Sequence, residues 1–182
     1  MPMNEHAIPP TAFRWMIALG SNLGEGVANL QRARRALSAY GTVIAASPIY
    51  ETAPMYDEDQ PRFYNAVLEL QSAWDGPALL EHMQKIELEY GRTRSSARRY
   101  GPRAIDLDIV AGRNAMGEVT LDHPDLEIPH PRMHERAFVL VPMAAIVSQW
   151  RHPILLLTLE ELLQRANLDD SLRIVCTPEQ WA

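Results

Sequence analysis

The apolar positions of this chain follow two periods in turn. Trp15-Met16-Ile17-Ala18-Leu19 is a short apolar run stopped by Gly20-Ser21-Asn22-Leu23-Gly24, which predicts a strand ending in a turn. Val27, Leu30, Ala33, Ala36 and Leu37 then recur at helical spacing, with Gly41 placed as a C-terminal stop. Residues 42–50 predict a strand, and its partner is 63–71, where Ala66, Leu68 and Leu70 alternate with Val67, Glu69 and Gln71. A loop rich in Pro and Asp, 51–62, joins the two. Leu79, Leu80, Met83, Ile86, Leu88 and Tyr90 mark a second helix, opened by Asp75-Gly76-Pro77 and ended at Gly91.

From Ile105 the alternation is strict: Ile105, Leu107 and Ile109 on one side, Asp106 and Asp108 on the other, the period of a half-buried strand. A turn around 112–117, a short strand near 119–121, helices over 138–146 and 158–166 and a last strand over 172–175 complete the reading. Strand, helix, two strands, helix, strand is the split βαβ arrangement, an α/β (α+β) sheet of mainly antiparallel strands with helices on one face. No internal repeat or interdomain linker interrupts it. Residues 1–12 predict a flexible tail and 13–182 a single domain.

At 182 residues, 47% of them hydrophobic and 22% charged, the chain suits one domain with a substantial core. Its formal charge of −6 argues against a general nucleic-acid or membrane surface, since those partners select for broad basic patches. The single cysteine, Cys176, rules out an intramolecular disulfide and a cysteine-cluster metal site, and points to the cytoplasm. The N-terminus lacks the apolar core of a signal peptide, and no stretch predicts a membrane span.

Positive charge is local rather than global. Arg92, Arg94, Arg98, Arg99 and Arg103 fall within twelve residues directly before the Asp strand. Guanidinium forks match phosphate oxygens bidentately, and the Gly- and Ser-bearing stretch that carries them can close over a polyphosphate. Residues two apart on a strand lie roughly 6 to 7 Å apart, so Asp106 and Asp108 can lean together onto hard cations. Oxygen-only ligands favour Mg²⁺ over zinc. The plain alternative is that the two acids form the wet face of a strand and the arginines a solvated charge run.

Three other constellations carry chemistry of their own. Gly20-Ser21-Asn22-Leu23-Gly24 can cradle phosphate through backbone N–H groups, but no Gly-Lys-Ser/Thr follows, and it is also ordinary turn chemistry. Thr52-Ala53-Pro54-Met55 and Phe63-Tyr64-Asn65 bracket the long loop and offer an aromatic face beside an amide, which suits a planar heterocycle or a core position. Ile128-Pro129-His130-Pro131-Arg132 through Arg136-Ala137-Phe138 places histidines and arginines on a rigid loop ahead of a helix.

Taken in order, these motifs, with Gln60-Pro61-Arg62-Phe63-Tyr64-Asn65 and Arg99-Tyr100-Gly101-Pro102-Arg103-Ala104-Ile105-Asp106-Leu107-Asp108-Ile109, resemble the 6-hydroxymethyl-7,8-dihydropterin pyrophosphokinases of folate biosynthesis. The resemblance runs from about 16 to about 163. It implies a ferredoxin-like sandwich that transfers the β,γ-diphosphate of ATP, the co-substrate, to the pterin hydroxymethyl group and releases AMP. It implies two Mg²⁺ ions held by Asp106 and Asp108, and catalytic arginines at Arg92, Arg94 and Arg103. The same resemblance implies ATP contacts at Arg92, Tyr100, Arg103, His130 and Arg136, and pterin contacts at Thr52, Ala53, Pro54, Met55, Phe63, Asn65 and Phe138. Glu87 matches a position linked to substrate binding; Arg98 and Arg99 extend the basic loop. Tyr100 stands where the family commonly has tryptophan, Ala53 replaces a frequent proline, and 91–100 is one residue longer than in a familiar bacterial form. The expected partners are the two small-molecule substrates, not nucleic acid or membrane, and the expected state is a monomer. A ligand-sensing or RNA-binding module and transfer to another hydroxymethyl heterocycle are the alternative readings; the two carboxylates oppose RNA.

Overall fold

Strand β1 (Phe13–Ser21) is apolar on both sides because it lies inside the sheet, paired antiparallel with β4 (Phe63–Ser72) on one edge and β5 (Asp106–Asn114) on the other. The computed structural model describes residues 12–53, 60–90, 103–166 and 172–182. Its main sheet runs β6-β5-β1-β4-β3-β9, with β2 also paired to β4. The added strands are β2 (Thr42–Ala46), β3 (Ile49–Thr52), β6 (Gly117–Glu118) and β9 (Arg173–Cys176). Helix α1 (Gly26–Leu37) follows β1, and α2 (Gly76–Glu89) joins β4 to β5. The succession β1-α1-β2/β3-β4-α2-β5, with β5-β1-β4-β3 as neighbours and antiparallel pairing, is the ferredoxin-like fold.

Helices cover both faces of the sheet, not one. Trp15, Ile17 and Leu19 of β1 pack with Leu30, Ala33 and Leu37 of α1 and Leu79, Met83 and Ile86 of α2. The alternate positions Met16 of β1 and Val67 of β4 pack with Val139, Leu140 and Met143 of α3 (Ala137–Ala144) and Leu159 and Leu162 of α4 (Leu159–Arg165). Period-2 alternation thus divides two apolar clusters cleanly. A sequence pattern shows that both sides of β1 are apolar but not which helices supply the second cover.

Local chemistry explains most boundaries. Asp75 caps α2, its carboxylate accepting from the Ala78 amide at 3.0 Å, and Thr158 and Glu161 form a reciprocal capping box on α4. Other boundaries move. Helix α1 ends at Leu37 with Ser38 in right-handed conformation, so Gly41 is not its stop; a Cβ at Gly41 would lie 2.3 Å from the Gln71 carbonyl, and the glycine permits that approach. The predicted strand 42–50 is two strands, broken at Ser47-Pro48, where proline has no amide to donate and the Ser47 hydroxyl accepts from the Val67 amide at 3.0 Å. Strand β5 continues through Gly112, and a separate hairpin, β7 (Leu121–His123) with β8 (Leu126–Ile128), stands where one short strand was predicted.

The C-terminal segment closes the α1 face. Trp181 is fully buried, its indole N–H donating to the Ser47 carbonyl at 2.9 Å, and the Arg34 guanidinium lies 5.1 Å from the indole ring. Trp181→Ala is therefore expected to remove about 3 to 5 kcal/mol of unfolding free energy, read as a fall in the urea midpoint with an unchanged denaturant slope.

Candidate active site

Antiparallel register lines up one row of side chains across four strands. Tyr50 of β3 faces Asn65 of β4, Asn65 faces Gly20 of β1, and Gly20 faces Asp106 of β5. Directly opposed residues share a face, and this is the face that α3 covers. Gly20 has no side chain, so the Asn65 side chain and Asp106 can approach the β1 backbone closely on either side of it. A Cβ there would meet Asn65 Oδ1 at 3.3 Å and the Asp106 Cβ at 4.0 Å. The glycine read as part of a turn thus lies in β1, directly between Asn65 and Asp106.

At one end, Asp106 and Asp108 share the α3 side of β5, as alternation predicts. Arg103 Nη1 holds Asp106 Oδ1 at 2.6 Å, and Arg136 Nη1 lies 3.8 Å from Asp108 Oδ2. Arg136 is mostly buried, and among the described residues its Nε is buried without a hydrogen-bond acceptor. A buried guanidinium donor aimed at no acceptor beside two carboxylates is a place for an added anion. Among the described residues no three Asp, Glu, His or Cys side chains group as a metal cage. Two carboxylates on one strand face suit a hard cation whose shell is completed by phosphate oxygens and water.

His130 reaches this end by its backbone: its amide donates to the Val110 carbonyl of β5 at 2.9 Å. Its Nδ1 accepts from the Arg132 amide at 3.1 Å, so in the neutral ring the proton sits on Nε2 as a free donor direction. Burial first, then the Arg136 charge, pushes its pKa down from 6.5 to about 4. The imidazole at the site is therefore neutral at working pH.

At the other end Asn65 and Thr52 are both buried, and Asn65 Nδ2 donates to Thr52 Oγ1 at 2.9 Å. That bond fixes the amide, while the Thr52 hydroxyl keeps its own proton to donate. Phe63 faces Thr52 across the β3–β4 ladder, and Ala53 follows directly on β3. Phe138, at the start of α3, carries the Arg136 guanidinium 5.7 Å from its ring centroid.

One residue that the sequence reading left in a turn is central. Asn22 is buried; its Oδ1 accepts from the Arg103 amide at 2.7 Å, its own amide donates to the Arg103 carbonyl at 3.0 Å, and its Nδ2 donates to Gln60 Oε1 at 3.0 Å. It ties the end of β1 to both long connections. The available signal was an amide side chain, donor and acceptor at once, directly after an apolar strand. Glu87 of α2, which the resemblance links to substrate binding, accepts from the Leu107 amide of β5 at 2.9 Å. Pro54, Met55, Arg92, Arg94, Arg98, Arg99 and Tyr100 lie outside the described residues.

A family model described as 7,8-dihydro-6-hydroxymethylpterin-pyrophosphokinase (HPPK) matches residues 16–148. The 2-amino-4-hydroxy-6-hydroxymethyldihydropteridine pyrophosphokinase of Pseudomonas aeruginosa is 42% identical over 142 residues, covering 77% of this chain and 84% of that protein. The Bacillus subtilis protein of the same name is 43% identical over 135 residues, covering 73% and 77%. The folic acid synthesis protein fol1 of Pneumocystis carinii is 42% identical over 139 residues, but this chain spans only 18% of its length. In structure the chain resembles wild-type Plasmodium falciparum HPPK-DHPS crystallised with STZ-DHP: TM-score 0.68, 15% identity, 90% of this chain and 46% of that one, a likeness of fold. The chain belongs to the 7,8-dihydro-6-hydroxymethylpterin-pyrophosphokinase family.

A folded pKa of about 4 for His130 means that the unfolded chain binds more protons between that value and 6.5. Its contribution to stability is complete above pH 6.5 and is lost as pH falls toward 4. An NMR titration of the His130 ring is expected to show its midpoint near 4; a midpoint above 6 would contradict the burial argument.

Proposed function

We propose that the chain catalyses transfer of the β,γ-diphosphate of ATP to 6-hydroxymethyl-7,8-dihydropterin, with release of AMP, in folate biosynthesis. The observation that carries this reading is the shared sheet face: Thr52, Phe63 and Asn65 at one end, Gly20 with no side chain between, and Asp106 and Asp108, paired with Arg103 and Arg136, at the other. A planar heterocycle at one end then presents its hydroxymethyl arm over Gly20 toward the charged end.

The substrate hydroxyl oxygen bonds to the β-phosphorus, the bond from that phosphorus to the α,β-bridging oxygen breaks, AMP leaves with that oxygen, and the hydroxyl proton passes to solvent. Such a reaction needs alignment and charge neutralisation more than covalent help. Asp106 and Asp108 hold two Mg²⁺ ions, which when bound neutralise the phosphate oxygens. Arg103, ion-paired to Asp106 in this structure, sits where its fork can also take a phosphate oxygen, and the buried Nε of Arg136 is a donor suited to the same task. His130 donates through Nε2 toward the nucleotide. Phe63 and Phe138 supply stacking surface, and Asn65 with Thr52 reads the edge of the ring. Ala53, Pro54 and Met55 complete the pterin side, while Arg92, Arg94, Arg98, Arg99 and Tyr100 act on ATP from the basic loop.

The enzyme works as a monomer in the cytoplasm on these two substrates; the single cysteine supports the reducing compartment, and the net charge of −6 supports small-molecule partners over nucleic acid or membrane. Among the described residues no helix is long and apolar enough to cross a membrane.

Incubation with ATP, Mg²⁺ and the dihydropterin is expected to yield AMP, identified by chromatography; ADP as the product overturns the diphosphate reading. Asp106→Ala and Asp108→Ala are each expected to lower turnover by about 100-fold or more with an unchanged thermal midpoint, and near-normal rates in both would remove them from the site.

A further inference from the structure

The outer edge of β5 is satisfied in an unusual way. A strand edge presents unpaired N–H and C=O groups that need partners. Far from the site, β6 supplies them at Arg113 and Asn114, and the Val119 amide donates to the Gly112 carbonyl at 2.7 Å. Nearer, the His130 amide takes the Val110 carbonyl at 2.9 Å. At the site end the partner is a side chain: Glu87 Oε1 accepts from the Leu107 amide at 2.9 Å. Leu107 is the residue between Asp106 and Asp108.

We propose that Glu87 is a positioning residue for the acid pair, its carboxylate standing in for a missing neighbour strand and fixing the backbone from which both carboxylates project. Its place in the fold supports this role. Glu87 is 3% exposed and lies on α2, among Met83 and Ile86, which pack on the sheet face opposite the one that Asp106 and Asp108 share. The Leu107 side chain points into that same α2-side cluster, so its amide is desolvated and depends on an acceptor. The Glu87 side chain is long enough to bring an acceptor oxygen from α2 to that amide. Asn22 grips the same segment from the other side through the Arg103 amide and carbonyl. The stretch from Arg103 to Leu107 is thus clamped at both ends by side chains from different elements.

What Glu87 contributes on this reading is reach, not charge, and two conservative variants separate them. Glu87→Gln keeps an acceptor at the same reach and removes the charge; Glu87→Asp keeps the charge and shortens the reach by one methylene. In the substrate-free protein, Glu87→Asp is expected to speed hydrogen exchange of the Leu107 amide about tenfold, the size of losing one bond to a charged group, and Glu87→Gln to change it by less than about threefold. This arm is independent of the reaction. The kinetic arm rests on the proposed diphosphate transfer: Glu87→Asp is expected to raise the half-saturating Mg²⁺ concentration about tenfold with the pterin KM unchanged, and Glu87→Gln to restore it. Unchanged Leu107 exchange in Glu87→Asp overturns the proposal. So does the reverse ranking, Glu87→Gln defective and Glu87→Asp normal, which would make Glu87 a charged contact for the ligands.

Discussion

The register of β1 between β4 and β5 is the constraint on which the site depends. With Gly20 opposite both Asn65 and Asp106, a hydrogen-bonding end and an acidic end meet across a single backbone-only position. A one-residue slip would turn every side chain of a strand to the other face. The register is held because the alternate positions, Trp15, Ile17 and Leu19, are committed to the apolar cluster under α1 and α2. Core packing on one face therefore sets the chemistry on the other.

Charge at the site is balanced by geometry rather than by composition. The chain carries a net −6, yet the two strand carboxylates sit beside Arg103 and Arg136, and a neutral His130 adds a donor without adding a third cation. A partly buried acid pair needs such partners, because like charges at short range in a low-dielectric setting repel strongly. The same arginines are the right shape for phosphate. The groups that balance the acids in the protein alone thus have the donor geometry that an anion would also use.

The residues that the structure brings together span almost the whole domain: Thr52 from β3, Phe63 and Asn65 from β4, Asp106 and Asp108 from β5, His130 from the loop after β8 and Phe138 from α3. Their placement was legible in part. The alternation from Ile105 to Ile109 put both acids on one face, and the apolar stripes gave α1, α2 and their sheet. Asn22 was not legible, because its role comes from Arg103 and Gln60, distant in sequence and adjacent only after folding. Glu87 was named only through the resemblance; its sequence neighbours mark a helix face, while its partner is a strand edge.

The sequence alone determined the strand and helix periods, the acid pair Asp106 and Asp108 on one strand face, the arginine cluster and a set of motifs dense enough to specify a family. Those are local properties, carried by side-chain type and by spacings of two and three to four residues. Tertiary structure decided that helices cover both faces, that 42–50 breaks into two strands, and that Gly20 belongs to β1, between Asn65 and Asp106, rather than to a turn. The physical reason is that register, sheet edges and the partners of buried polar groups depend on residues far apart in the chain. Each becomes definite only when the backbone hydrogen bonds are accounted for in three dimensions.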